Sequence, residues 1–245
     1  HSFPTRRSSD LQNVNAYKHG GFANLLREVG KVEGLERIRF MSPHPKDFTD
    51  DVIEAMAQTP NVMPQLHMPL QSGSDRILQA MRRSYRREKY LGILDRVRKA
   101  IPGATITTDI IVGFPGETEA DYNELADFIS AAKLDAIGIF GYSDEDGTEA
   151  LNMMGKLDAD EIAHRVATLS TIADNAVSER ASMRIGSEIE VLIDDPELQE
   201  GRAAFQGPEV DGTVGFEGDT DYKIGQWVKA VVIDSAGADL IARAI

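Results

Sequence analysis

The stretch Ala104-Thr-Ile-Thr-Thr-Asp-Ile-Ile-Val-Gly-Phe-Pro-Gly-Glu-Thr118 holds a strand, a turn and a helix start in one short run. Its first part is rich in β-branched residues, which favour a pleated, buried surface. Gly113-Phe-Pro-Gly-Glu117 then breaks the pattern. Two glycines let backbone come close to a ligand, and Pro115 stiffens the turn between them. Thr118-Glu-Ala-Asp121 fits a capping box, with Asp in the place of the usual Glu. Behind it Tyr122, Leu125, Phe128, Ile129 and Ala132 share one helix face. A buried strand that turns through a Gly/Pro loop into a capped helix is the unit of a parallel sheet.

The same unit recurs outward from there. Arg37–Met41, Gln65–Met68 and Ala136–Tyr142 are further predicted strands, and another would end near Gln12. Helices are predicted over Phe22–Val29, Asp50–Ala57 behind Thr49, Ser74–Met81 and Tyr85–Ala100. Each strand runs into a loop rich in Pro, Gly or Ser: 42–45, 69–74, 113–117 and 143–148. In β/α barrels such loops form the active-site face. Four or five strands are too few to close an eight-stranded barrel, so the expectation is an open, partial β/α barrel. Leu157–Met183 is a long helical pattern, with Ile162, Val166, Leu169, Ile172, Ala173 and Val177 on its apolar stripe, and reads as a connector packed on the barrel. From Gly186 short strand patterns take over (188–194, 202–205, 212–216, 227–234, 239–244), which predicts a small all-β barrel. The expected organisation is a lead at 1–11 that is extraneous or disordered, a barrel at 12–150, a helical connector at 151–183 and a β-barrel domain at 184–245.

Composition narrows the function. The 245 residues carry a net charge of −14 and contain no cysteine, which excludes disulfides and thiolate metal sites. No apolar run is long enough to span a bilayer, and no secretory signal is present. A cytoplasmic, monomeric protein is expected. The charge is unevenly placed. Residues 1–102 hold 17 Lys and Arg against 11 Asp and Glu, whereas residues 103–245 hold 9 against 29. A basic surface in one half and an acidic one in the other follow.

Three groupings can carry chemistry. The Gly113–Glu117 turn can support a nucleotide-like ligand, with Glu117 accepting from a ribose hydroxyl or an amine, or it can be an ordinary strand-to-helix turn. Gln71 and Ser72, beside Gly73 in the Pro69–Ser74 loop, present polar groups at a strand end, and Ser74 is a helix cap. Arg82-Arg-Ser-Tyr-Arg-Arg-Glu-Lys89 offers five positive charges that suit phosphates or an exposed helix junction. A metal site from His44, His67 and Asp109 is conceivable, but short ligand spacing is missing and no metal is expected. Asp144, Glu145 and Asp146 read as a solvated turn.

Together, Gln12–Tyr17, Arg39–Pro45, His67–Leu78, Met81–Tyr85 and Thr108–Thr118 resemble the methylthiotransferase branch of the radical SAM enzymes, and the C-terminal β-domain resembles that family's TRAM domain. The resemblance implies a partial radical SAM barrel, S-adenosylmethionine and two [4Fe-4S] clusters. By the same likeness, Gln12 and Asn13 lie where a strand approaches the methionine part of the cofactor, as do Gln71 and Ser72. Gly113, Phe114, Pro115, Gly116 and Glu117 lie where the family supports the adenosine. The departure is the missing cysteines. In the family a Cys-x3-Cys-x2-Cys loop would precede residue 12 and three more cysteines sit in a separate N-terminal domain, so the resemblance implies a chain lacking its front part and inactive alone.

Residues 12–112 look like the branch that methylthiolates N6-isopentenyladenosine beside the tRNA anticodon. Residues after 118 look more like the branch acting on an aspartate of ribosomal protein S12, and residues 183–245 carry 5 basic against 13 acidic residues. The resemblance therefore implies a tRNA-modifying methylthiotransferase fragment, with tRNA or S12 as partner and a junction between branches near Gly113–Thr118. A binding module without catalysis is the alternative of another class.

Overall fold

The computed structural model describes residues 14–208, 211–218 and 221–245. The expected lead at 1–11, together with Gln12 and Asn13, lies outside the described residues.

Three parallel strands form where β-branched residues concentrate. β1 (Gln65–His67) pairs with β2 (Thr105–Val112), and β2 pairs with β3 (Ala136–Gly141), in the order β1-β2-β3. Pro64 and Pro69 bracket β1, and neither can donate to a ladder, so β1 stays at three residues. The predicted strand at Arg37–Met41 is corrected for the same reason. It meets so short a neighbour that only the isolated bridges Ile38↔Val62 and Met41↔His67 form. Beyond Pro69, the bridge Gln71↔Ile110 extends the parallel pairing.

The helices are α1 (Phe22–Val29), α2 (Asp50–Gln58), α3 (Asp75–Ala80), α4 (Arg87–Ala100) and α5 (Glu119–Ala132). They cover one face of the sheet. Ile106, Ile110 and Val112 of β2 join Tyr90, Ile93 and Leu94 of α4 and Leu125, Phe128 and Ile129 of α5 in one core. Alternation along a strand turns Thr105, Thr107, Asp109 and Ile111 to the other, inner face. The capping box forms: Thr118 Oγ1 accepts from Asp121 N–H, and the Asp121 carboxylate accepts from Thr118 N–H at 2.8 Å.

α6 (Ala159–Ser182) buries Leu169, Ala173 and Val177 and packs along β3. It leads into a closed barrel of β4 (Glu188–Asp195), β5 (Glu200–Ala203), β6 (Val214–Phe216), β7 (Trp227–Ala236) and β8 (Asp239–Ala244), ordered β4-β5-β6-β8-β7. Val191, Ile193, Val214, Val232, Leu240 and Ala242 fill it.

The small barrel docks on the end of the sheet where the strands begin. Arg37 donates to the Arg202 carbonyl at 2.7 Å and Arg39 to the Ala204 carbonyl at 2.9 Å. Thr105 Oγ1 donates to the Phe205 carbonyl. Arg184 lies 3.7 Å over the Phe205 ring, and Arg37 lies 4.6 Å over Trp227. Among the described residues, no helix is long and apolar enough to cross a membrane.

Candidate functional site

The site is built where the three parallel strands end. Gln71 follows β1 with φ +77°, an unusual left-handed conformation for a side chain of its size. Two backbone hydrogen bonds hold it there: Gln71 N–H donates to the Asp109 carbonyl and Ile111 N–H donates to the Gln71 carbonyl, both at 2.9 Å. Gln71 and Asp109 border two adjoining cavities. One, of about 240 Å3, also takes in His44, Arg83 and Tyr85. The other, of about 410 Å3, takes in Ile111, Phe114, Tyr142 and Thr148. A cleft therefore runs along the strand ends, with polar groups at one end and aromatic rings at the other.

At the polar end Tyr85 donates its hydroxyl to the Leu70 carbonyl at 2.9 Å, and burial pushes that phenol up to about 12. Arg83 keeps its Nε buried without a hydrogen-bond partner among the described residues. A guanidinium so placed suits a carboxylate or phosphate. At the aromatic end Phe114 packs edge-on against Tyr142, with ring centroids 5.6 Å apart.

The Gly113–Glu117 turn is held from behind. Gly113 has φ +79°, and a Cβ there would come within 2.6 Å of Ile162. Gly116 N–H donates to the Gly155 carbonyl at 2.8 Å. Glu117 is buried, and its Oε1 accepts from Gly113 N–H at 3.0 Å and from Arg165 Nη1 at 3.1 Å. Burial pushes its carboxyl upward, opposed by the Gly113 amide and Arg165. Arg165 also reaches Glu161 and Glu119 and lies over the Tyr122 ring.

Among the residues singled out from sequence, Gln71 and Phe114 line the cleft. Gly113, Pro115, Gly116 and Glu117 shape the turn beside it. Glu117, expected from sequence to accept from a ligand, is buried, with Oε1 accepting from Gly113 N–H and Arg165. Ser72 is buried in its own loop, where its Oγ accepts from Ser74 N–H at 3.2 Å. The basic run 82–89 is partly absorbed locally. Arg82 pairs with Glu149, and Arg86 donates to the Arg83 and Tyr85 carbonyls. Sequence reasoning missed Arg83 as a cleft residue and Arg165 altogether. The Arg-rich run hides an arginine that turns inward, and Arg165 gave no signal on an otherwise ordinary amphipathic helix.

His44 caps a short turn by accepting from Lys46 N–H, whereas His67 meets Asp109 and Thr107. Among the described residues no group of three or more His, Cys, Asp or Glu stands together as a metal site.

Comparison with known proteins adds the family. Residues 17–129 match the Radical SAM superfamily and residues 185–245 match the TRAM domain. The "tRNA-2-methylthio-N(6)-dimethylallyladenosine synthase" of Parafrankia sp. is 54% identical over 191 residues, covering 76% of this chain and 39% of that protein. The protein of the same name from Acidothermus cellulolyticus is 48% identical over 240 residues, covering 94% and 48%. The one from Mycobacterium avium is 47% identical over 247 residues, covering 95% and 34%. The chain thus spans about half or less of the length of these relatives. The last two matches run through both flanks of the Gly113–Thr118 turn, so a junction between two branches is not needed to account for them. The chain belongs to the radical SAM superfamily through residues 17–129 and carries a TRAM domain at residues 185–245.

Proposed function

We propose that this chain forms the S-adenosylmethionine-binding and RNA-docking part of a tRNA methylthiotransferase acting on N6-dimethylallyladenosine. The observation that carries this is the 48% identity over 240 residues to the Acidothermus synthase, which takes in both barrels. The cleft fits the cofactor's chemistry. Arg83, with its buried unpartnered Nε, meets the carboxylate of the methionine part, Asp109 offers a carboxylate to the sulfonium, and the Phe114–Tyr142 pair lines the space for an adenine ring. The Gly113–Glu117 turn lets backbone approach the nucleoside, and Arg165 holds that turn in place. Bound there, S-adenosylmethionine supplies a methyl group and a source of a carbon radical.

An iron–sulfur cluster does not fit these residues. The chain has no cysteine, so thiolate ligation of iron would need ligands from outside these 245 residues. The chain by itself is proposed to bind cofactor and RNA without turning over.

Charge supports the placement of RNA. The TRAM segment is acidic, so phosphates are met by the barrel, where Arg87 and Lys89 stand in the first turn of α4. An acidic TRAM domain also suits the basic S12 protein, which makes S12 the second reading.

Calorimetry on the purified chain tests both. Binding of S-adenosylmethionine, together with salt-sensitive binding of an anticodon stem-loop, is expected. Absence of cofactor binding, or tighter binding to S12 than to the stem-loop, would overturn the tRNA reading.

A further inference from the structure

Residues 148–154, between β3 and α6, form a strap that buries none of its residues. Its one short helical turn, Glu149–Asn152, is open to solvent, and Met154 is 89% exposed. Segments with so few buried apolar contacts open at low cost. Glycines bound the strap at both ends. Gly147 and Gly155 each have φ +81°, a conformation that favours glycine. A Cβ on Gly147 would meet nothing within 4 Å, so the chain can pivot there without a clash. The Gly155 carbonyl accepts from Gly116 N–H at 2.8 Å, which ties the other end to the Gly113–Glu117 turn.

Arg82 faces the strap. It follows the end of α3 with φ +57°, in the position that glycine usually fills after a helix. Keeping a side chain there costs backbone strain. The Arg82 guanidinium pairs with the Glu149 carboxylate. Among the described residues, Arg82 is the one residue outside 142–157 that forms an ion pair or hydrogen bond with 148–154. The pair joins the two sides of the cleft. Arg83, next to Arg82, borders the 240 Å3 cavity, and Thr148 and Ala150, on either side of Glu149, border the 410 Å3 cavity. Charge favours the meeting. Four carboxylates lie between 144 and 149, and the run 82–89 carries five cations.

We infer that residues 148–154 are a lid over the cofactor cleft, hinged at Gly147 and latched by the Arg82–Glu149 ion pair; this rests on the cofactor reading above. With the pair made, Thr148 and Ala150 wall the aromatic end of the cleft. With it broken, the strap swings about Gly147 while Gly155 stays tied to the turn, and that wall moves away. The cofactor enters and leaves through the open form. An exposed ion pair is weak and screened by salt, so this latch gives way readily and closes again unaided. Lids of this kind set rates of entry and release rather than the chemistry between them.

The test is surface plasmon resonance of S-adenosylmethionine on the immobilised chain. A chain without cysteine accepts one reactive pair cleanly: Arg82→Cys with Glu149→Cys, joined by a short bismaleimide. Joining shuts the lid, and association and dissociation rates are both expected to fall by about tenfold or more against the same double variant left unjoined. Arg82→Gln frees the latch. Both rates are expected to rise together by about two- to fivefold at low salt, the scale of an exposed ion pair, with affinity held within about twofold. Added salt is expected to bring wild type to the rates of the variant. A residue that only touched the cofactor would shift affinity instead. Both side chains are exposed, so neither substitution threatens the fold. Rates unchanged by cross-linking, or lost affinity in Arg82→Gln without a parallel change in both rates, overturn the inference and leave the cofactor reading standing. Failure of wild type to bind S-adenosylmethionine overturns that reading and the inference with it.

Discussion

Arg165 on α6 places Nη1 3.1 Å from Oε1 of Glu117, with both side chains almost wholly buried. One end of the connector helix thus holds the turn that the proposed cofactor needs. The pair costs desolvation on both sides, and it is the loss of one partner that hurts most. Arg165→Met strands a buried carboxylate and is expected to lower stability by about 3 kcal/mol. Glu117→Gln keeps an acceptor for Gly113 and leaves Arg165 with Glu161 and Glu119, so about 1–2 kcal/mol is expected. Urea denaturation of the two variants checks the order, and equal losses would show that the ion pair does not hold the turn.

Asp121 gives the fold a dependence on pH. Burial raises its carboxyl, but hydrogen bonds from Arg76, Ser74 and Thr118 outweigh that and hold it well below the usual carboxylate range. Because the folded value lies below the unfolded one, its stabilisation is present above about pH 4 and fades as pH falls through that region. Asp121→Asn is expected to lose about 2 kcal/mol at pH 7, the worth of hydrogen bonds to a charge, and to show a flatter melting temperature between about pH 4 and 2.5. A variant as acid-sensitive as wild type would remove Asp121 from the account.

The two barrels melt together if the arginine contacts between them hold. Arg39 is pushed down to about 10, chiefly by burial and then by Arg37, and it still donates to the Ala204 carbonyl. The double variant Arg37→Ala, Arg39→Ala removes the hydrogen bonds to the Glu190, Arg202, Ala203 and Ala204 carbonyls and the stacking contact with Trp227. Scanning calorimetry is expected to show one transition in wild type and two in the variant. A single transition in the variant would mean that Phe205 and Arg184 suffice for docking.

Arg83 should matter for the cofactor and little for the fold. Arg83→Ala is expected to weaken S-adenosylmethionine binding at least about tenfold, the scale of a charge-assisted hydrogen bond, with melting nearly unchanged. Calorimetric affinity unchanged in the variant would place the methionine part elsewhere along the cleft.

Much of the fold was legible residue by residue. The β-branched run of β2, the capping box at Thr118 and the stripe of α6 are local signals, and each element formed close to its expected bounds. Where the reading failed, the cause lay in a partner distant along the chain. The 37–41 segment has the composition of a strand, but its ladder depended on β1, which Pro64 and Pro69 cut short. The pairing of Glu117 with Arg165 likewise depends on a helix 48 residues away.

What the sequence determined by itself is the alternation of strands and helices, the loops at strand ends, the small β-barrel and the lack of any thiolate. These follow from period, turn chemistry and composition, which act between near neighbours. What only the tertiary structure decided is which polar groups meet. Gln71 and Asp109 share a cleft, Asp109 and Phe140 close in over Gly138, and Arg37 and Arg39 bind the TRAM domain. Those meetings depend on the path of the chain through space, and no spacing along the sequence encodes it.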